Sequence, residues 1–334
     1  MKEFKEYSGP FIHSKETYKK IMFSYIIVFL PFIIYTLYIS GLSKYNETKE
    51  ITTILKPLIF ILLPTITVFI LEILYKLIFI KNKSLKDYIK QNFSIFGIIY
   101  FPLLLNIETP IYILLISTIL GYILYKLLFK KWYSLTILSY VSYLILTFIL
   151  SKLNIPTYIE ILNIKNMNYN YLVTSNGGYI KLLLKGSALM CPLLSILSFI
   201  YLCIKKDIKY QITISAFITI LSSTLIISIM NKCLWFPLYF ILTGGTLFII
   251  TILTNDFYSP ATKGGQIIYG VFIGVTIILL RFLSSYNIAP FSIFIAQTFT
   301  FAFDYINELI NKKIIYIILL TIVLITSLTI GIII

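Results

Sequence analysis

The feature that most constrains this chain is a series of long apolar segments, several of which run for eighteen or more residues without a charged side chain. About 20 helical residues cross the roughly 30 Å of hydrocarbon in a bilayer. Because hydrocarbon offers no partner to backbone N–H and C=O groups, and no barrel-like alternation occurs, these segments are predicted to be helical. Composition agrees, since 59% of the residues are hydrophobic and 12% charged, against about 45–50% and about 25% in soluble domains.

The segments predict an all-α integral membrane protein, a polytopic bundle of about 10–11 transmembrane helices. The candidate spans are residues 21–43, 53–80, 92–106, 109–129, 133–151, 188–204, 210–230, 234–254, 266–283, 287–306 and 314–334. They divide the chain into a cytoplasmic N-terminal tail (1–20), a first helix group (21–151), an outer-face loop (152–187), a second helix group (188–306), and a linker with an extra C-terminal helix (307–334). Prolines in or beside these spans predict broken helices that line a site, or tolerated kinks: Pro57, Pro64, Pro102, Pro192, Pro237 and Pro290.

The basic residues predict the orientation of the bundle. With a cytoplasmic N-terminus, 19 of the 28 Lys and Arg residues fall on inner segments and helix ends. Such an excess is typical of cytoplasmic loops. Loop 152–187 is therefore predicted outside and loop 255–265 inside. Because the lysines alternate with apolar spans and do not form one patch, the net charge of +15 does not indicate nucleic-acid binding.

Few side chains could carry catalysis. The single histidine, His13, lies in the N-terminal tail, and Cys191, Cys203 and Cys233 show no metal-binding spacing. No P-loop, no GxGxxG after a strand and no paired-carboxylate constellation occurs, which argues against ATP-driven or hydrolytic activity. No catalytic residue and no metal site is predicted.

Two acidic residues within the spans are candidates for an ion path, because a carboxylate in hydrocarbon is costly and usually functional. Glu72 lies inside the second span and Asp304 near the inner end of the tenth. The alternatives are that Glu72 pairs with Lys76 one turn away, and that Asp304 is interfacial. Arg281, near the outer end of the ninth span, could extend to the interface or bind an anion.

The most polar connection between spans is residues 254–270, TNDFYSPATKGGQIIYG. A helix that starts here would direct free N–H groups and a positive dipole end at an anion. The residues predicted to hold that anion are Ser259, Thr262, Lys263, Gly264 and Gly265. Alternatively, Ser259–Pro260 is only a turn and Thr262 caps the next helix.

Two stretches carry a resemblance to a known family. LTGGTLFIITILTNDFYSPATKGGQIIYGVFIGVTIILLR and its continuation FSIFIAQTFTFAFDYI, with Asp304, resemble the Thr-Gly-Gly and S-P-x-T-x-K-G segments of the RnfD/NqrB family. The N-terminal GPFIHSKETYKKIMFSYIIVFLPF is similar to that family's first helix, although Phe11 and His13 replace its histidine and arginine. These two regions, in the same order, identify the chain as a diverged member.

The resemblance implies a membrane subunit of an ion-translocating electron-transport complex in the bacterial inner membrane, with other Rnf-type subunits as partners. It also implies FMN, linked through its phosphate to a threonine in an outer-face S-G-A-T motif. Here the corresponding stretch reads LVTSNGGYIKLLLKG, where Thr174 is the nearest hydroxyl and Gly177 takes the place of the flavin-bearing threonine. Whether riboflavin binds as well stays open.

Two functions therefore remain open at the level of sequence. One is a subunit, and so part of a translocase, in which electrons pass between flavins and Na⁺ or H⁺ moves through the assembly. The other is a redox-inactive relative that serves as a scaffold or moves a small solute. The retained Thr-Gly-Gly and S-P-A-T segments favour the first, and the missing flavin motif favours the second.

Overall fold

The computed structural model of the protein describes residues 18–42, 45–46, 49–79, 93–129, 133–152, 159, 182–184, 189–255, 258–309 and 312–333. Several residues of the motifs found in the sequence lie outside these ranges: His13 with the N-terminal motif up to Thr17, Thr174 and Gly177 in the outer-face loop, and Asp256 of the polar segment 254–270.

The first helix group consists of four α-helices and two 3-10 segments in the described part of the chain. Helix α1 (Tyr18–Thr36) continues as a π-helical turn, Leu37–Leu42, and α2 (Ile51–Phe79) follows. The 3-10 segments are Phe93–Tyr100 and Pro102–Leu104. Helix α3 (Ile111–Leu124) winds into a second π-helical turn, Tyr125–Phe129, and α4 (Leu135–Lys152) ends the group.

The second helix group contains both long and interrupted helices. It begins with α5 (Pro192–Lys205) and α6 (Tyr210–Met230). The short helices α7 (Phe236–Leu242) and α8 (Thr246–Thr251) precede a 3-10 turn, Leu253–Asn255. Then follow α9 (Lys263–Leu283), α10 (Phe291–Thr298), α11 (Thr300–Leu309) and α12 (Lys312–Ile333).

Hydropathy and helix length confirm the predicted all-α polytopic membrane fold. Among the described residues, six helical segments are long and apolar enough to cross a membrane: Phe23–Leu42, Ile54–Phe79, Leu135–Lys152, Tyr210–Met230, Lys263–Leu283 and Ile314–Ile332. Two shorter apolar helices, Ile111–Leu127 and Pro192–Lys205, accompany them. Large apolar side chains such as Ile317 and Ile325 are exposed on α12, as expected of a surface that lipid covers.

Three of the predicted spans are not continuous α-helices. The 92–106 span consists of the two 3-10 segments, and the 287–306 span is interrupted between α10 and α11. The 234–254 span breaks between α7 and α8, where Gly244 and Gly245 have φ angles of 65° and 66°. Glycine adopts this left-handed conformation without the steric cost that other residues meet, so the Thr-Gly-Gly sequence is the local cause of the break.

These prolines lie either inside a continuous helix or at the start of one. Pro57 and Pro64 lie inside the continuous helix α2, so they are tolerated. Pro192 and Pro237 instead lie in the first turn of α5 and α7, and Pro290 is the N-cap of α10. A proline is tolerated in a first turn because its missing N–H would have no helical acceptor there.

Small residues bring helices together within each group. In the second group, a Cβ atom added at Gly270 of α9 would collide with Ser215 and with the backbone of α6. In the first group, a Cβ at Gly121 of α3 would collide with Ser139 of α4. Close packing of this kind drives helix association where lipid removes the usual hydrophobic driving force.

The orientation of the bundle can be tested by cysteine labelling. In a background without the three native cysteines, Lys263→Cys reports on the loop predicted inside and Asn168→Cys on the loop predicted outside. Lys263 is exposed, whereas a side chain at Gly264 would collide with Asn307. We expect an impermeant thiol reagent to label Asn168→Cys on intact cells and Lys263→Cys only after lysis. Equal labelling, or the opposite order, would contradict the predicted topology.

Candidate functional site

Glu72 is buried in a polar cluster between α2 and α3. Its carboxylate accepts a hydrogen bond from Tyr122 Oη at 2.5 Å and forms an ion pair with Lys126 Nζ at 2.6 Å. The side chains of Lys126 and Glu72 are only 3% and 4% exposed. The charge of Glu72 is therefore compensated by a partner from another helix.

The end of α3 positions both partners of Glu72. Tyr122 belongs to the last α-helical turn and Lys126 to the π-helical turn that follows. The Lys126 ammonium also lies over the ring of Tyr75, 4.7 Å from its centroid, a cation–π arrangement. The ion pair thus joins Glu72 to Lys126, a partner that the sequence analysis missed in favour of Lys76. The sequence spacing puts Tyr122 and Lys126 on one helical face, but it does not indicate that this face meets Glu72.

The turn before α9 is capped as one of the sequence alternatives predicts. The Oγ1 atom of Thr262 accepts a hydrogen bond from Gly265 N at 3.1 Å. Gln266 Nε2 donates to the carbonyl oxygens of Pro260 and Ala261 at 3.2 and 3.1 Å. The start of α9 is thereby fixed by side chains of its own first turn.

A lysine from the beginning of α6 holds the same turn. Lys209 Nζ donates to the carbonyl oxygens of Ser259 and Pro260 and to Ser259 Oγ, at 2.9–3.0 Å. Burial lowers the pKa of Lys209, and the nearby negative charge of Asp304 acts in the opposite direction. Lys209 was not among the residues chosen from the sequence, because nothing in the local pattern around it indicates a contact 50 residues away.

Asp304 lies at the N-terminus of α9, where an anion was predicted to bind. Its carboxylate accepts hydrogen bonds from the backbone N–H groups of Ala261 and Thr262, both at 3.0 Å, and from Thr262 Oγ1 at 2.5 Å. A carboxylate is favoured there because backbone N–H groups and the helix dipole both attract negative charge. The structure thus brings together Asp304, Ser259, Thr262 and Gly265, whereas the side chain of Lys263 is exposed.

A pair of tyrosines joins this turn to the π-helical turn at the end of α3. The hydroxyls of Tyr125 and Tyr258 are 3.4 Å apart. Tyr125 directly precedes Lys126, and Tyr258 directly precedes Ser259. Polar groups therefore extend from the loop predicted to be cytoplasmic towards the first helix group.

A further buried acid, Asp207, follows α5. Neither of its carboxylate oxygens has a hydrogen-bond partner among the described residues, although the side chain is buried. Burying a polar group without a hydrogen-bond partner is costly. Asp207 is therefore a candidate functional residue that the sequence analysis missed. Its position among Lys205, Lys206 and Lys209 gives it the appearance of an ordinary surface acid in the sequence.

Arg281 holds the break between α7 and α8. The side chain is 2% exposed, so it does not extend to the interface as one sequence alternative supposed. Its guanidinium donates to the carbonyl oxygens of Phe240 and Thr243 at 2.5 and 3.2 Å, and to the hydroxyls of Thr243 and Thr246 at 3.0 and 2.8 Å. It also lies over the Phe240 ring, 3.9 Å from the centroid. These contacts satisfy carbonyl groups that the break removes from helical bonding.

Replacing Arg281 should destabilise the protein. We expect Arg281→Met to lower the free energy of unfolding by at least about 2 kcal/mol, since a hydrogen bond to a charged group contributes roughly 1.5–3 kcal/mol. Arg281→Lys should recover only part of the loss, because an ammonium lacks the planar fork of donors. Thermal unfolding of the purified protein in detergent measures the effect. Lys152→Met removes an exposed charge at the C-terminal end of α4 and should change the midpoint little. A similar shift in both variants would contradict this role.

Comparison with known proteins agrees with the resemblance found in the sequence. No curated protein matches the chain significantly. The sequence profile of the NQR2, RnfD, RnfE family, however, matches residues 6–315. The match includes the Glu72 cluster, the Thr-Gly-Gly break and the turn before α9, and it ends near the start of α12. The chain belongs to the NQR2, RnfD, RnfE family.

Proposed function

We propose that this chain is a subunit of an Rnf-type complex in the bacterial inner membrane, where it couples flavin-mediated electron transfer to the movement of Na⁺ or H⁺. Family membership supports a membrane subunit of an Rnf- or Nqr-type complex. Other Rnf-type membrane subunits would be its partners, and its N-terminus would be cytoplasmic. The observation that carries the coupling role is the buried Glu72–Lys126 pair.

The buried Glu72–Lys126 pair costs more free energy than a purely structural contact between helices would. Charges lose their hydration when they enter hydrocarbon, and an ion pair recovers that free energy only with good geometry and further hydrogen bonds. Well-packed apolar side chains would join α2 and α3 at less cost. The presence of a carboxylate at position 72 is explained if Glu72 changes its charge state or its partner during turnover.

The proposed path begins at the cytoplasmic face. Asp304 lies beside the turn before α9, in the loop predicted to be cytoplasmic. The Tyr258–Tyr125 contact joins this turn to the π-helical turn that also carries Lys126, the partner of Glu72. The predicted anion, a flavin phosphate or a carboxylate of a partner subunit, would bind at the same turn. Two N–H groups of this turn already have acceptors, since Thr262 N donates to Asp304 and Gly265 N donates to Thr262 Oγ1. The anion would therefore bind beside Lys263 and Gly264, or it would displace Asp304.

The coupling role predicts that Glu72→Gln separates ion movement from electron flow. In proteoliposomes that contain the whole complex, we expect electron transfer to continue while the ion gradient that it generates is lost. Glutamine retains the size of the side chain but carries no charge. Glu308→Gln, at an exposed position on α11, is the matched control and should leave both activities intact. An unchanged gradient in Glu72→Gln would contradict an ion path through this residue.

Covalent FMN, where it is present, is expected at Thr174. The family resemblance requires a threonine hydroxyl on the outer face, and the loop offers only Thr157 besides Thr174. In-gel flavin fluorescence of the denatured protein should disappear in Thr174→Ala and persist in Ser175→Ala. Fluorescence in Thr174→Ala would contradict this site. A dark band from the unmodified protein would mean that the covalent site has been lost.

The second candidate function is a redox-inactive scaffold or small-solute transporter built on the same bundle. It is favoured by the stretch LVTSNGGYIKLLLKG, which lacks the flavin-attachment motif. Genes for partner Rnf subunits beside this one would support the electron-transport role. Their absence, together with flavin-free purified protein, would favour the scaffold or transporter.

A further inference from the structure

We propose that Glu72 binds a proton and excludes Na⁺, so that the ion moved through this cluster is H⁺. The inference rests on the proposed function for its role in transport. The binding preference itself follows from the contacts of the carboxylate and can be measured on the purified chain.

The contacts of Glu72 are unsuited to a metal cation. Hard cations are bound by several oxygen ligands arranged around the ion. Here one carboxylate oxygen accepts from the Lys126 ammonium and the other from Tyr122 Oη. A sodium ion at this carboxylate would lie beside the positive charge of Lys126, in surroundings that screen charge weakly. It would have to displace Lys126 from the carboxylate and would break this ion pair.

The described side chains of the neighbouring elements add tyrosines and Lys126 but no second acid. Among the described side chains of α2 and of the elements packed against it, the other charged or titratable groups are Lys56, Lys76, Tyr25, Tyr35, Tyr38, Tyr75, Tyr100, Tyr112, Tyr122, Tyr125 and Lys126. The charge of Lys126 opposes any cation at this carboxylate, and a sodium ion would in addition need several further oxygen ligands. A proton needs only the carboxylate oxygen.

The Glu72–Lys126 contact also provides the proton-transfer step. An N–H bond of the Lys126 ammonium breaks and an O–H bond forms on the Glu72 carboxylate, which leaves a neutral amine beside a neutral acid. The amine then takes a proton from a hydronium ion that enters from the cytoplasmic face, and a water molecule is left behind. The net result is one proton bound and one positive charge gained by the pair.

Infrared spectroscopy of the purified protein in nanodiscs tests this inference. Difference spectra between acidic and alkaline buffers are recorded in sodium chloride and in choline chloride. We expect a carboxylic-acid C=O band that is absent in Glu72→Gln and retained in Glu308→Gln. Tyr122→Phe should shift the frequency of this band, because it removes a hydrogen bond to the carboxylate, and so identifies the band even if Glu72→Gln fails to fold.

The effect of sodium decides the outcome. In the unmodified protein the titration midpoint of the Glu72 band should be the same in both salts. In Lys126→Met, which removes the competing charge, sodium should shift the midpoint to lower pH by competing with the proton. A sodium-dependent midpoint in the unmodified protein, or no titrating band assigned to Glu72, would overturn the inference. The proposed function fails separately. If this titration is observed but the whole complex in proteoliposomes moves no ions during electron transfer, the result counts against the proposed function and not against the binding preference of Glu72.

Discussion

Hydrocarbon offers no hydrogen-bond partner, and the described polar features of this bundle follow from that constraint. A backbone that leaves the helical pattern inside a membrane must find its partners within the protein. The break at Gly244–Gly245 is possible because Arg281 binds the carbonyl oxygens at the end of α7 and Asn287 Nδ2 donates to Gly244 O at 3.3 Å. The hydroxyl of Thr246 also donates to Phe240 O and Thr243 O, at 3.2 and 3.0 Å, so the carbonyl groups around the break find their partners inside the protein.

The three charged groups chosen from the spans meet this constraint in different ways. Arg281 compensates the partial negative charge at the C-terminus of α7. Asp304 compensates the partial positive charge at the N-terminus of α9. Glu72 instead faces a full charge, that of Lys126. The first two contacts join a side chain to backbone whose charge cannot change. Only the third contact joins two groups that can exchange a proton, which makes it the one suited to turnover.

Local sequence signals predicted the features that depend on neighbouring residues. Hydropathy predicted the membrane helices, and the spacing of Thr262 and Gly265 predicted the cap of α9, because both follow from contacts within a few residues. Lys126 lies 54 residues from Glu72, so hydropathy and helical periodicity could not select it over Lys76. The contacts of Lys209 with Ser259 and of Arg281 with Thr243 have the same origin. These pairs are set by how helices pack, which one sequence does not reveal.

The position of Arg281 also bears on where an ion can bind. In many transporters, carbonyl groups at the end of a broken half-helix coordinate the coupling cation. Here the carbonyl oxygens of Phe240 and Thr243, at the end of α7, accept from a guanidinium that belongs to the chain itself. A permanently charged side chain thus occupies the position that a mobile cation would take, and it would repel one. The break at Gly244–Gly245 is therefore closed to cations, and Glu72, whose partner can give up its proton, is better suited than this break to bind an ion.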